Sequence, residues 1–221
     1  MRKFTISDIH GCPKTFKALL DRISFSKGDE LYLLGDYIDR GPDSRGVIDH
    51  IWHLQETGHT VHCLRGNHEQ MLLSLQSSSI VKQPYPTTEG EPETKQVQQI
   101  TEAHIEWMKN LKYYIEVDHY ILVHAGLNFQ IESPFEDKKE MIWIRYWYDD
   151  IDRDWLGDRI IVHGHTPTHQ LDIKNSIKEL AKIPALNIDN GCCFERSGLG
   201  HLCALELGKN EVTFQANIDW I

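Results

Sequence analysis

Carboxylate, imidazole and amide side chains cluster directly after a series of short apolar segments in this 221-residue chain. Together they are the oxygen and nitrogen donors that suit Mn, Fe or Zn rather than a soft thiolate site. The spacing therefore indicates a site for divalent metal ions, built from several separated segments. The segments are Ser7-Asp8-Ile9-His10-Gly11, Gly35-Asp36-Tyr37-Ile38-Asp39-Arg40-Gly41, Arg65-Gly66-Asn67-His68-Glu69, His124-Ala125-Gly126 and His163-Gly164-His165-Thr166.

The stretches between the first three groups alternate between strand-like and helix-like patterns. Residues 3–7, 31–34 and 60–64 are apolar and short, which is typical of buried strands, and residues 13–22 and 44–55 have apolar residues at helical spacing. This order predicts a layered α/β fold. Because ligands gather at the carboxyl ends of strands in open α/β sheets, we expect the polar groups to meet at one edge.

The second half of the chain is richer in predicted strands, at 113–117, 120–124, 160–163, 185–188, 202–207 and 211–216. A helix is predicted from about Val97 to Lys109. Before it, residues 77–95 are polar and rich in proline, serine and glycine, which predicts a mobile loop or a lid. The length fits a single domain over residues 1–221.

The composition argues against nucleic acid and membranes as partners and indicates a reducing compartment. The formal net charge of −10 disfavours nucleic acid, because binding to a phosphate backbone needs patches of Lys and Arg. No apolar run reaches the length of a membrane span. The five cysteines are odd in number and lack C-x-x-C spacing, which predicts reduced thiols in a cytoplasmic protein. The oligomeric state cannot be read from the sequence.

A carboxylate shared between two divalent ions would hold them about 3.5–4 Å apart, as in two-metal phosphatases. The positive charge left after two aspartates have bound would attract a phosphate dianion and lower the pKa of a bridging water. Any one of the polar groups could be a surface turn or a helix cap. Five of them in this order, each after an apolar strand, favour phosphoester hydrolysis.

The set of motifs resembles the calcineurin-like metallophosphoesterases, across residues 3–194. That resemblance implies a layered sandwich of mixed β-sheets flanked by helices. Within the superfamily the chain looks most like the PPP-type serine/threonine protein phosphatases, in their phage lambda-type and bacterial branch. The run Arg65–Met71 and the segment Ile142-Trp143-Ile144-Arg145 carry this narrower likeness.

The resemblance also implies a role for each matching residue. Two divalent ions, expected to be Mn²⁺ with Fe or Zn as the alternatives, would be bound by six side chains. His68 would be the general acid, oriented by Asp39, and Arg40 and Arg145 would clamp the phosphate. A hydroxide bridging the ions would attack phosphorus directly. The six expected metal ligands are Asp8, His10, Asp36, Asn67, His124 and His165.

The resemblance leads us to expect a phosphomonoesterase acting on phosphoserine and phosphothreonine, or phosphotyrosine, in a phosphoprotein or phosphopeptide. Asp39 and Glu69 favour it, because symmetrical diadenosine tetraphosphatases typically have Ala and Asp at those positions. The alternative is a small-molecule phosphohydrolase, such as a symmetrical diadenosine tetraphosphatase or a nucleotide phosphatase. A non-enzymatic binding module is a third interpretation, disfavoured because all six expected ligands are present.

Two further groups stay open at this point. His163 precedes His165 by two residues and is expected to point to the opposite face of the strand, behind the site. Asp189-Asn190-Gly191 follows a predicted strand and could line the cleft, although a simple β-turn is the favoured interpretation.

Overall fold

The computed structural model of the chain describes residues 1–77 and 100–220. In this part of the chain the strands are β1 Lys3–Ile6, β2 Glu30–Leu33, β3 Thr60–Cys63, β4 Tyr114–Val117, β5 Tyr120–Val123, β6 Ile160–His163, β7 Ala185–Asn187, β8 His201–Glu206 and β9 Glu211–Ala216. The α-helices are α1 Pro13–Arg22, α2 Ser44–Glu56, α3 Asn67–Ser77, α4 Glu102–Lys109, α5 Glu140–Trp143, α6 Arg153–Leu156 and α7 Gln170–Lys178, with 3₁₀ turns at Pro134–Glu136 and Tyr148–Asp150.

The strands form two mixed sheets. The first has the order β3-β2-β1-β8-β9, and the second has the order β4-β5-β6-β7. In the first sheet β1, β2 and β3 are parallel, and β8 and β9 continue it in antiparallel pairs. In the second, β5, β6 and β7 are parallel and β4 is antiparallel at the edge. In residues 1–77 and 100–220, both groups of side chains that could hold a metal ion follow parallel strands.

The alternation of side chains along the strands explains how the layers are stacked. On β2, Leu31 and Leu33 face a core shared with α1 and α2, whereas Tyr32 faces a second core between the two sheets. On β5, Leu122 faces that same inter-sheet core, and Ile121 faces a third core against the short helices. Both faces of these strands are buried, so apolar residues occupy consecutive positions in them instead of alternating with polar ones.

Helix α1 is capped by a residue from the far end of the described chain. Its N-cap position, Cys12, makes no side-chain capping bond. Instead, the carboxylate of Asp219 accepts hydrogen bonds from the backbone N–H groups of Lys14 (3.0 Å) and Thr15 (2.8 Å). These are N–H groups of the first helical turn, which have no partner within the helix. The segment that carries His10 therefore lies between two fixed elements, β1 in the sheet and the capped start of α1.

The predicted fold class, an α/β sandwich of mixed sheets flanked by helices, is confirmed. The predicted helix at 97–109 begins at Glu102 in the described chain, where Thr101 caps it. The predicted loop or lid at 77–95 lies outside the described residues beyond Ser77. No helix in residues 1–77 and 100–220 has the length and apolar character that a bilayer crossing requires.

Candidate active site

The predicted site residues converge at the carboxyl ends of the parallel strands of both sheets. Asp8 and His10 follow β1, Asp36 follows β2, and Asn67 and His68 begin α3 just beyond β3. From the second sheet, His124 follows β5 and His165 follows β6. Except for Arg40 and Arg145 at the mouth, the predicted residues are buried: Asp8, His10, Asp36, Asp39, Asn67, His68, His124 and His165 are all at most 9% exposed.

The backbone of this edge is held in an uncommon conformation. In the described chain nine non-glycine residues have positive φ, and six of them belong to the site. Left-handed backbone is costly for residues other than glycine, so the surrounding structure must impose it. In the turns after β1, β2 and β6, this conformation directs the polar side chains toward the carboxyl edge of the sheets. The six residues are Asp8, His10, Asp36, Asp39, Arg40 and His165.

Two glycines allow the carboxylates to approach other segments closely. A Cβ atom at Gly66 would lie 2.1 Å from Oδ1 of Asp36, and one at Gly164 would lie 2.1 Å from Oδ2 of Asp8. Neither space can hold a side chain, so glycine is required at both positions. Asp8 and Asp36 are therefore packed directly against the backbone of neighbouring loops.

Asp36, His124 and His165 form one group whose possible ligand atoms all lie within 4.8 Å of one another. Nε2 of His124 is 3.5 Å from Oδ2 of Asp36. Oδ1 of Asn67 lies between the two imidazoles, 2.9 Å from Nε2 of His124 and 2.9 Å from Nδ1 of His165. Nδ1 of His124 is 3.0 Å from the carbonyl oxygen of Leu34, which suits a proton on Nδ1 and leaves Nε2 as the ligand atom.

A second group shares the same aspartate and contains His10, Asp36 and His68. Nε2 of His10 is 3.6 Å from Oδ2 of Asp36, and its Nδ1 is 2.9 Å from the carbonyl oxygen of Ile38. As for His124, a backbone carbonyl fixes the ring and points the other nitrogen at the cluster. Asp36 is the residue that the two groups share, as its predicted bridging role requires.

Asp8 lies beside these groups without joining either of them. Both of its carboxylate oxygens accept from the backbone N–H of His165, at 3.2 and 3.1 Å. Burial, followed by the negative charge of Asp36, raises the pKa of Asp8 to about 6, against the opposing effect of His124. A buried carboxylate held next to another carboxylate calls for a cation between them, which agrees with its predicted role as a ligand.

His68 is held by Asp39 as predicted. Its Nδ1 lies 2.7 Å from Oδ2 of Asp39, and its Nε2 faces the cluster at 3.9 Å from Oδ2 of Asp36. Burial lowers the pKa of His68, but the carboxylates of Asp36 and Asp39 outweigh burial and raise this pKa to about 9. An imidazolium oriented by a carboxylate, with its second N–H aimed at the cluster, has the geometry of a general acid.

The charge states of the histidines suit metal binding. Burial, assisted by His68, lowers the pKa of His10 to about 3, and burial with His124 lowers the pKa of His165 to about 3. Both rings are therefore neutral near pH 7 and can donate a lone pair. Although burial opposes it, four surrounding histidines lower the pKa of Asp36 below its usual range and keep it ionised.

The donor set fits divalent metal ions. Imidazole nitrogens, the carboxylate of Asp36 and the amide oxygen of Asn67 face one another in the cluster, and the carboxylate of Asp8 lies beside them. Oδ1 of Asn67 can only accept, and Nε2 of His124 has no proton to donate when the ring proton is on Nδ1. Two lone pairs therefore face each other at 2.9 Å, an arrangement that a cation between them would stabilise. The carboxyl–imidazole–amide set matches the preferences of Mn, Fe and Zn.

Glu69 has a structural role that the sequence did not reveal. Its side chain is fully buried, and it accepts hydrogen bonds from the backbone N–H groups of Asp36 (2.9 Å), Tyr37 (2.8 Å) and Gly66 (2.9 Å). Burial, followed by the charge of Asp36, raises the pKa of Glu69 to about 7. Glu69 therefore joins the loop after β2 to the loop after β3 and lies beneath the cluster.

A cavity of about 370 Å³ opens from the metal-binding groups toward solvent. Arg40 and Arg145, the predicted phosphate clamp, line it, and so does a third arginine, Arg196, that the sequence analysis missed. Asp189 also lines the cavity, so the favoured interpretation of 189–191 as only a turn was incomplete. Its position in the sequence indicates this place, because residues 189–191 follow β7 just as the other polar groups follow their strands. The other newly recognised lining residues are Pro167, Phe194 and Leu199.

His163 lies behind the cluster, as expected. Its Nε2 is 2.6 Å from the hydroxyl oxygen of Tyr148, and its ring packs edge-on against Trp147. It is not part of either ligand group found among the described residues.

The motifs match the sequence model of the calcineurin-like phosphoesterases over residues 1–191. The chain belongs to this family. The match includes every predicted metal ligand and ends just before Phe194 and Arg196. The family relies on divalent metal ions, in agreement with the donor set described above.

Curated relatives from several bacteria have the same name. The chain is 35% identical over 136 residues to the symmetrical bis(5'-nucleosyl)-tetraphosphatase of Nitrosomonas europaea, covering 60% of this chain and 48% of that protein. It is 34% identical over 134 residues to the enzyme of the same name from Wigglesworthia glossinidia brevipalpis, covering 58% of this chain and 45% of that protein. The chain thus matches about half the length of these relatives.

Solved structures with this fold include both classes of enzyme considered above. A candidate diadenosine tetraphosphatase aligns with a TM-score of 0.68 at 22% identity, covering 96% of this chain and 92% of that one. A protein serine/threonine phosphatase from Saccharomyces cerevisiae aligns with a TM-score of 0.69 at 16% identity, covering 99% and 80%. At these identities the likeness shows the shared fold alone.

The expectation of a serine/threonine protein phosphatase with a phosphoprotein substrate was wrong, because the curated relatives are named tetraphosphatases of dinucleosides. The structure explains why Asp39 and Glu69 misled. Asp39 orients His68, and Glu69 bonds the backbone of two loops. Neither residue is among those that line the cavity, so neither contacts the space where a substrate would bind.

Proposed function

We propose that this chain is a metal-dependent phosphohydrolase that cleaves a phosphoanhydride bond of a dinucleoside polyphosphate, a small molecule. The observation that carries the proposal is the single cavity in which the metal-binding groups adjoin three arginines and an apolar wall. One phosphate needs only two arginines, whereas a chain of phosphates ending in a nucleoside uses a third cation and an apolar surface. The names of the curated relatives support the same substrate class.

Each predicted site residue has a role in the proposal. Asp8 and His10 would hold one ion, Asp36 would bridge, and Asn67, His124 and His165 would hold the other. When bound, the two ions supply positive charge and a nucleophilic water at the phosphate. We infer Mn²⁺ as the native metal from the donor set, with Fe or Zn as alternatives.

The remaining residues act on the substrate itself. Arg40 and Arg145 lie at the mouth of the cavity, where their guanidinium groups can bind phosphate oxygens bidentately. His68 has its Nδ1 proton shared with Asp39 and its Nε2 proton directed at the cluster, so it can protonate the departing phosphate oxygen.

A substrate panel with purified chain tests the proposal. In the presence of Mn²⁺, diadenosine tetraphosphate should turn over at least about tenfold faster than a phosphoserine peptide, a phosphotyrosine peptide or AMP, a difference of roughly 1.4 kcal/mol in barrier. Symmetrical cleavage predicts ADP as the single nucleotide product. Faster release of phosphate from the peptides, or from AMP, would overturn the proposed substrate class.

Metal dependence is tested in the same assay. Chelation should abolish turnover, and elemental analysis of the active protein should identify the ions. Restoration by Mn²⁺ above Zn²⁺ or Fe²⁺ is the expected result, and full activity after complete chelation would contradict the proposed ligand roles.

A further inference from the structure

The outer wall of the cavity is apolar, which neither metal binding nor phosphate chemistry requires. Pro167, Phe194 and Leu199 meet over the backbone of Gly191, which has φ +60°. A Cβ atom at Gly191 would lie 2.9 Å from Cδ2 of Phe194, 3.2 Å from Cβ of Pro167 and 3.6 Å from Cδ1 of Leu199. The three side chains therefore form one continuous surface beside the charged cluster.

Two arginines lie close to the ring of Phe194. The guanidinium carbon of Arg40 lies 5.1 Å from the ring centroid, and that of Arg196 lies 5.7 Å from it. Both distances are within the range of a cation–π contact. Arg40 has positive φ and follows Asp39, so it connects the ring directly to the loop that orients the general acid. An aromatic face next to phosphate-binding cations is the combination that a nucleotide requires.

The segment that carries Phe194 is fixed by hydrogen bonds. The side-chain amide of Asn190 donates to the carbonyl oxygens of Thr168 and Gly198, both at 2.8 Å. The backbone N–H of Phe194 donates to the carbonyl oxygen of Gly191 at 2.9 Å, and that of Gly200 donates to the same oxygen at 3.1 Å. A ring that is half-buried on a fixed loop loses little entropy when a ligand stacks on it.

We propose that Phe194 and Arg196 form a nucleoside subsite, in which a purine stacks on the Phe194 ring while Arg196 binds a phosphate distant from the one that is cleaved. This inference rests on the proposed function and adds the residues that recognise the nucleoside. Stacking on an aromatic side chain contributes about 1–3 kcal/mol per base and tolerates any base, so the subsite selects nucleotides over base-free phosphates.

The experiment compares two inhibitors that differ only in the nucleoside. ADP and inorganic pyrophosphate are tested as competitive inhibitors of aryl phosphate hydrolysis by the Mn²⁺-loaded protein. Phe194→Ala should raise the inhibition constant of ADP roughly 5- to 100-fold and leave that of pyrophosphate within about twofold. Arg196→Gln should raise both constants by a similar factor, roughly 3- to 10-fold at this exposed position.

Two variants control for structural effects. Phe194→Trp keeps an aromatic face and should retain ADP binding close to that of the wild type. Phe214→Ala removes a half-buried phenylalanine on β9 that also has a cation beside it, Lys174 at 5.4 Å, but lies outside the cavity. It should leave both inhibition constants unchanged. Circular dichroism and thermal unfolding establish that each variant is folded, and Phe194→Leu replaces Phe194→Ala if the alanine variant is not.

The outcomes separate this inference from the proposed function. An equal change, or none, in the ADP and pyrophosphate constants of Phe194→Ala or Phe194→Leu would overturn the subsite, even if diadenosine tetraphosphate is hydrolysed. Selective loss of ADP binding supports the subsite even if the substrate panel favours another nucleotide. Loss of ADP binding in Phe214→Ala as well would also overturn it, because the effect would then not be local.

Discussion

Strand β2 has an aspartate near each end, and the surroundings of Asp29 and Asp36 differ sharply. Asp29 accepts from Nε of Arg2 at 3.0 Å and from Nη2 at 2.7 Å, and Ser26 donates to it through both its N–H and its hydroxyl. Asp36 has positive φ, and the groups around its Oδ2 are imidazole nitrogens at 3.5–3.9 Å. One carboxylate is satisfied by the protein, and the other is arranged for metal ions.

This contrast extends to the two edges of the sheet. At the amino edge, hydrogen bonds and an ion pair complete the turn, so the residues there contribute to stability. At the carboxyl edge, strained backbone and mutually facing polar atoms are maintained by the rest of the fold. We therefore expect substitution of Asp36 at the carboxyl edge to reduce activity, and substitution of Asp29 at the amino edge to reduce the free energy of unfolding without a loss of turnover.

The largest expected effect is that of Asp36→Asn. Loss of the bridging charge should lower turnover by about 10³-fold or more, because metal charge at the phosphate contributes several kcal/mol to the transition state. Elemental analysis should show reduced metal content in the same preparation. Asp29→Asn, at the other end of the same strand, is the matched control and should keep wild-type turnover. Turnover of Asp36→Asn within tenfold of the wild type would contradict a role for Asp36 in metal binding.

His68→Asn should reduce turnover by roughly 10²–10⁴-fold when the leaving group is an alkoxide, which needs a proton to depart. The loss should be smaller for a dinucleoside polyphosphate, because a departing phosphate ionises near pH 6 and needs the proton less. Asp39→Asn should cost roughly 10- to 100-fold. Rates across substrates with different leaving groups measure this dependence, and an equal loss on every substrate would exclude a role in protonation.

Glu69→Gln tests stability at the carboxyl edge itself. The amide has one oxygen, so at least one of the three backbone donors would face an NH₂ group in a fully buried space. The free energy of unfolding should fall by about 1–3 kcal/mol. Urea denaturation of the metal-free protein measures it, with Glu56→Gln on the exposed end of α2 as the control. No loss would mean that the loops are held together by other contacts.

The smallest expected effect is that of Asp29→Asn on stability. The hydrogen bond from Arg2 lowers the pKa of Asp29 from 3.8 to about 2, although burial opposes it. Because the pKa is lower in the folded state, the stabilisation is fully present above pH 4 and is lost as the pH falls toward 2. At pH 7 the variant should be about 1 kcal/mol less stable, since solvent screens the partly exposed Arg2. A difference that persists at pH 2 would contradict this ion pair.

The sequence predicted the strands and several helices of the described chain, and the strands that the polar groups follow, because each is a local pattern. An apolar run followed by Gly and Asp requires a sharp turn, and parallel strands bring such turns to one edge. The α/β class and the strands at 160–163 and 211–216 agree with the structure for the same reason. The residue roles within the site remain predictions until variants are measured.

Other features depend on contacts between distant segments and have no local signature. Glu69 resembles an ordinary residue in the first turn of a helix, and its three backbone bonds exist only once β2 and β3 are paired. Phe194 and Arg196 follow the turn Asp189-Asn190-Gly191, which has no pattern specific to a binding site. Their place beside Arg40 depends on how β7 lies relative to β2. The substrate class was misjudged because the outer wall of the cavity could not be assembled from the sequence.

The Asp219 cap on helix α1 has a consequence for the order of events in biosynthesis. The loop that carries Asp8 and His10 lies between β1 and α1, and β1 pairs with β8 about two hundred residues downstream. Residues 201–219 must therefore leave the ribosome before β8 and Asp219 can fix the loop that carries Asp8 and His10. Contacts this far apart in the chain slow folding. The nascent protein should consequently acquire its metal ions late, after synthesis of this region is complete.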